Sequence, residues 1–309
     1  MNRRDFMKSS IAVTGFVLAG PAISFGTEAE AAGGSRIFVA DGGAREAVRA
    51  VLAEAGGMQA FVKKGDSVLI KPNFSFSNAP DAATTTSPEL VKEVVLMCKE
   101  AGAERVTVAD HTIRVARTCL ERTGMKAALD GIDNVKISTP NKKSRFKAAG
   151  VERGKSLKEV DIAKDYLDAD VYINIPVAKN HSASTVSFGL KNQMGLIYDR
   201  WAFHSKYDLH QAIADLATVM KPQLTILDAT RCLVTNGPSG PGDVVKLGKV
   251  MCSTDMVALD AYATTLLAWG GKTLKPEDIG HIKQAAEHSL GEMDLAKVEI
   301  VETVPVKTG

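Results

Sequence analysis

Short β-branched runs separated by amphipathic helical stretches recur along this chain, and that alternation restricts the fold more than any other feature. Runs at 36–40, 67–70, 105–109, 135–138, 171–175, 224–227 and 298–301 read as strands, with one or two more between Val244 and Cys252. Stretches 44–55, 88–101, 113–121, 209–220, 256–269 and 276–288 read as helices. The alternation predicts an α/β fold with a mainly parallel sheet flanked by helices. Ser87 followed by Pro88 marks one helix start, and Leu209, Ile213, Leu216 and Met220 share one face of another helix. A basic stretch at Lys142, Lys143, Arg145 and Lys147 breaks the alternation and is expected as an irregular insertion, a solvated loop or hairpin.

Four of the apolar runs stop at polar residues. Val68-Leu69-Ile70 meets Lys71-Pro72-Asn73, and Val106 to Ala109 meets Asp110-His111-Thr112. Ile173 to Pro176 leads to Lys179-Asn180-His181, and Thr225-Ile226-Leu227 meets Asp228. Carboxyl ends of parallel strands share one edge, where ligands bind, so these residues are expected to converge. The long 72–86 connection and the Gly/Pro turn at 236–242 point to the same edge.

The 309 residues are 45% hydrophobic and 24% charged, which is ordinary for a globular chain. Lys plus Arg numbers 38 against 36 for Asp plus Glu, so the basic excess that nucleic-acid binding needs is missing. Residues 1–31 read as an export signal: Arg3-Arg4-Asp5-Phe6-Met7-Lys8, an apolar stretch from Ile11 to Gly20, then Ala29-Glu30-Ala31. The paired arginines are similar to a twin-arginine signal, with Asn2 and Met7 departing from the usual pattern. The apolar run is too short to span a bilayer. The expectation is passage through the twin-arginine translocase, cleavage after Ala31, a periplasmic or extracellular location, and a single α/β domain over 32–309. Cys98, Cys119, Cys232 and Cys252 contain no CxxC spacing, so no iron–sulfur cluster is encoded locally. Cys98 shares an apolar helix face with Val91, Val94 and Val95, and Cys232 and Cys252 can pair in an oxidising compartment.

Lys71-Pro72-Asn73, Thr86-Ser87-Pro88-Glu89-Leu90-Val91, Asn174-Ile175-Pro176, Lys179-Asn180-His181, Gly189-Leu190-Lys191-Asn192 with Gly195, His204, Asp228 and Ser253-Thr254-Asp255 occur in order over about 64–270. This series resembles the family called domain of unknown function 362. Some members of that family carry a ferredoxin-like iron–sulfur module, and this chain lacks the cysteine block of such a module.

Two chemistries fit the converging groups. In one, His181, His204 and an aspartate such as Asp228 hold a divalent metal with a position open for water or substrate. In the other, Lys71, Lys179 and Lys191 clamp a small anion beside Asn73, Asn192 and Asp228, and His181 or Asp110 transfers a proton. Asp110, His181 and Lys179 are the catalytic candidates in either case. His111, His210, His281 and His288 are expected to be structural. An enzyme is one outcome; the alternative is a non-catalytic exported binding or accessory protein serving iron–sulfur or redox partners.

Overall fold

The computed structural model describes residues 34–304, and the export signal expected at 1–31 lies outside the described residues. The strands are β1 (Arg36–Asp41), β2 (Ser67–Pro72), β3 (Arg105–Ala109), β4 (Val135–Ser138), β5 (Phe146–Gly150), β6 (Glu159–Ala163), β7 (Val171–Ile175), β8 (Val177–His181), β9 (Thr185–Ser187), β10 (Leu224–Leu233), β11 (Val244–Val245), β12 (Lys249–Ser253) and β13 (Glu299–Thr303). Eight of them form one row in the order β13-β1-β12-β10-β7-β2-β3-β4. Within the row only β12 runs antiparallel, against β1 and β10. The remaining pairs are parallel, so the predicted mainly parallel α/β architecture is present.

The apolar runs are continuous because both faces of the sheet are covered. Val68 and Ile70 point into a core with Val48, Leu52, Leu90, Val94 and Cys98 of the helices Ala44–Glu54 and Pro88–Glu100. Leu69 points the other way, into a core with Ile213, Leu216, Leu259 and Ile282 of the helices Leu209–Ala217, Met256–Thr265 and Gly280–Glu287. Each fully buried aliphatic side chain contributes roughly 1.5–3 kcal/mol. The Pro88–Glu100 helix begins with proline in its first turn, and Gly102 follows its end at φ 95°, a conformation costly for any residue with a Cβ.

Two expectations are corrected. Lys179-Asn180-His181 is not a loop after β7: Pro176 separates β7 from a second strand, β8, which pairs with the distal part of β10 and with β9. The ten residues of β10 carry it past the end of β7 and leave an edge there for β8. Cys232 and Cys252 are free and buried. The antiparallel register sets Cys252 opposite Ile226, six positions short of Cys232, and the two thiols lie in different cores. The basic stretch forms a short helical turn leading into the β5–β6 hairpin, with Lys143 paired to Asp161 and Arg145 to Asp165.

Candidate functional site

The register Ile70 opposite Val108 makes Lys71 and Asp110 leave β2 and β3 within one position of each other. Lys71 Nζ lies 3.0 Å from Asp110 Oδ1, and both side chains are buried. The ammonium also donates to Pro72 O at 2.7 Å and Asn192 Oδ1 at 2.9 Å, which occupies its three donors. Asp110 Oδ2 accepts from Phe74 N at 2.9 Å and Ser75 Oγ at 2.8 Å. Burial pulls the Lys71 pKa down and the adjacent carboxylate opposes it. Asn192 Nδ2 donates to Lys71 O and to Asn174 Oδ1, so Asn192 is saturated as well. Lys71, Asp110 and Asn192 are therefore brought together as expected, but they bond mainly to one another and to nearby backbone, with Asp110 Oδ1 held by the Lys71 ion pair alone.

This network forms one wall of a cavity of about 390 Å³, the size of small-molecule pockets. Asn73, Lys179, His181, Lys191, Arg200 and His204 also line it. The segment after Asn192 passes so close that a Cβ on Gly195 would stand 2.5 Å from Lys71 Nζ and closer still to Asp110 Oδ1. Only glycine fits there without displacement.

Lys179 is carried by β8. Its ammonium donates to Thr84 O at 2.6 Å and sits 4.5 Å from the centre of the Phe76 ring. Burial, and then the charge of Lys191, push its pKa well down. Lys191 lines the cavity with no hydrogen-bond or ion-pair partner among the described residues. Its pKa is lowered to about 7, first by burial and then by Arg200 and Lys71. Arg200 starts the short helix Arg200–Ser205, which Asp199 caps by accepting from Ala202 N at 3.0 Å. Arg200 donates to the carbonyls of His111 and Thr112, and no carboxylate among the described residues pairs with it. Asp199 is the one carboxylate on the cavity wall among the described residues, and it is engaged as that cap. The net field favours an anion.

His181 Nδ1 accepts from Ala183 N at 3.1 Å and Ser184 N at 3.2 Å, which assigns the proton of the neutral ring to Nε2. Burial, Lys191, Lys179 and His204 lower its pKa to about 2, so it stays neutral near pH 7. The His204 ring stacks on it, with centroids 6.1 Å apart. A histidine ligating a metal through one nitrogen normally donates the proton on the other, and here that other nitrogen already accepts two backbone protons. No group of three His, Cys, Asp or Glu among the described residues is placed to hold a metal ion. The donor set His181, His204 and Asp228 does not fit the divalent metal anticipated from sequence.

Asp228 does not line the cavity, and Asp110 lies behind its wall. Asp228 Oδ2 accepts from Ser87 N at 2.7 Å, at the start of the Pro88–Glu100 helix, and its Oδ1 accepts from Thr230 N and Oγ1. There it neutralises a helix N-terminus. His111 bonds Ile197 O through Nδ1, and His288 Nε2 meets Asp215 Oδ1 at 2.9 Å, both structural contacts. His210 and His281 stack on one another with their Nδ1 atoms 3.1 Å apart.

Arg200 escaped the sequence reading, as did the rim formed by Ile113 and Trp201, which is 75% exposed. One signal was available: Arg200 stands four residues before His204, a helical spacing that places both on one face.

Comparison with known proteins adds three findings. Residues 68–265 match the family model described as Domain of unknown function (DUF362). A thylakoid-associated protein of Synechocystis sp. is 31% identical over 227 residues, 71% of this chain and 68% of that protein. Among solved structures, the lactate racemase apoprotein of Thermoanaerobacterium thermosaccharolyticum matches with a TM-score of 0.43 at 12% identity, over 74% of this chain and 56% of its own. A Thermotoga maritima protein matches with a TM-score of 0.38 at 10% identity, over 73% and 55%. The chain thus spans just over half of each of these two structures. With the family model covering most of the chain and a relative of that identity beside it, this protein belongs to the domain of unknown function 362 family.

Proposed function

We propose that the protein binds a small organic anion in the cationic cavity and performs acid–base chemistry on it, with Lys191 as the reactive base. The observation that carries this reading is an amine on the cavity wall with no partner among the described residues, beside an arginine that pairs with no carboxylate among them. A general base works best with a pKa close to the operating pH, and Lys191 meets that condition. His181 serves as a neutral hydrogen-bond donor through Nε2. Asp110 is too fully engaged to move a proton, and Lys71 acts by holding Asp110 and Asn192 in place. Arg200 supplies the charge that draws the anion in, and Lys179, whose charged form burial disfavours, lines the same wall. The paired arginines near the N-terminus support export through the twin-arginine translocase to the periplasm or exterior.

Equilibrium dialysis against inorganic phosphate and small carboxylates, with deuterium uptake from D2O followed by proton NMR, tests the reading. Saturable binding is expected, weakened about tenfold or more in Arg200→Ala, which removes a charge-assisted contact. Deuterium uptake is expected to vanish in Lys191→Met. Binding that neither substitution changes would contradict the assignment, and binding without uptake in the wild type would make the protein a carrier.

A further inference from the structure

Three amino groups line the cavity, and their surroundings differ in kind. Lys71 has three acceptors, and Lys179 is held between Thr84 O and the Phe76 ring. Lys191 alone of the three has no acceptor among the described residues. An amine with no acceptor among the described residues, surrounded by Lys71, Lys179 and Arg200, keeps its lone pair, when unprotonated, open to whatever enters. Lysines activated by neighbouring cations form Schiff bases with carbonyl substrates. The other walls suit the same partner. Arg200 complements a carboxylate, and the Nε2–H of His181 is a neutral donor for a carbonyl oxygen.

We propose that the ligand is a small carboxylate bearing an aldehyde or ketone, and that Lys191 Nζ bonds covalently to its carbonyl carbon. This rests on the reading of the cavity as a small-anion site. Nζ attacks the carbon, the carbonyl π electrons move to oxygen, and one amine proton is transferred to that oxygen, giving a carbinolamine. A proton taken up from solvent by the hydroxyl lets it leave as water, which breaks the C–O bond and leaves a protonated imine. No oxidant or reductant is consumed. The positive imine is balanced by the carboxylate of the ligand, and it acidifies the adjacent C–H toward exchange with solvent, so for a ligand that carries a carbonyl Lys191 acts as the electron sink and not as the base.

The test uses the full chain, glyoxylate and pyruvate as probes, and borohydride to reduce the imine to a stable secondary amine. Intact mass and peptide mapping then locate the adduct. At least about a tenfold preference for Lys191 over every other lysine is expected, in keeping with its neutral fraction near pH 7 against an ordinary surface amine. Lys191→Arg should abolish the adduct while retaining the bound carboxylate in dialysis, since the charge is kept. Adducts spread over surface lysines while the oxo acid binds saturably would overturn the covalent step and leave the anion site standing. Absence of both binding and adduct would overturn the two together.

Discussion

Lys71 Nζ and Asp110 Oδ1 stand 3.0 Å apart at the ends of two adjacent parallel strands, both without solvent contact. Two charges taken out of water cost several kcal/mol each, and their attraction offsets this only when the other lone pairs and protons are satisfied. Here Pro72 O and Asn192 take the other Lys71 protons and Phe74 N and Ser75 Oγ satisfy Asp110 Oδ2, while Asp110 Oδ1 has the ion pair alone. Removing one partner strands the other. Asp110→Ala is expected to cost about 3–5 kcal/mol in urea unfolding, whereas Lys71→Met combined with Asp110→Ala costs less than the sum of the single changes. Additive costs would mean that the pair contributes no coupling.

Gly195 is the contact that seats this pair. Gly195→Ala puts a methyl group against Lys71 Nζ and Asp110 Oδ1, both fixed by other bonds. Overpacking of this kind costs typically 1–3 kcal/mol, so about that loss is expected, together with weakened anion binding. Gly150→Ala, where a Cβ would meet nothing within 4 Å, is the control for handling and expression. Equal stability of the two variants would show that the wall is softer than its hydrogen bonds imply.

His181 is held neutral with the proton on Nε2 by two backbone donors. Nitrogen-15 NMR should show that tautomer unchanged across pH 5–8, a range where an ordinary histidine titrates. The folded pKa, near 2, lies below the unfolded value near 6.5. The unfolded chain therefore binds the extra proton first, and stability declines as pH falls from about 6.5 toward about 2. A protonated His181 at pH 6 in the folded protein would contradict the arrangement.

Asp228 separates structural from binding roles. Its carboxylate satisfies Ser87 N and Thr230 and does not line the cavity. Asp228→Ala should lower unfolding stability by about 1–3 kcal/mol, the cost of stranding buried donors, with anion affinity unchanged. A tenfold loss of affinity in a folded variant would return this residue to the site.

The architecture was legible in the sequence because both sides of the sheet impose their own residues. Val68 and Ile70 serve one core and Leu69 the other, so the run is unbroken and reads as a buried strand. The shared edge was legible too, since parallel strands end together: Lys71, Asn73 and Asp110 do meet there. The direction an edge residue turns was not. Asp228 sits within β10 and not after it as Asp110 sits after β3, and the helix start at Ser87 claims it. Strand register hid the separation of Cys232 from Cys252, and the stop at Pro176 hid β8. Arg200 reaches the cavity on a six-residue helix anchored to carbonyls almost ninety positions earlier, a contact no local pattern encodes.

Lys191 offers the most direct test, because its charge changes where the proposed site operates. Its folded pKa, about 7, lies below the ordinary 10.5. Falling pH adds a positive charge to the cavity as it passes about 7, whereas the ordinary amines are already charged. Calorimetric titration of a small carboxylate at about pH 6 and about pH 8 should show tighter binding at the lower pH in the wild type and no such difference in Lys191→Met. Absence of binding at both pH values, or a pH dependence that survives in Lys191→Met, would contradict the account.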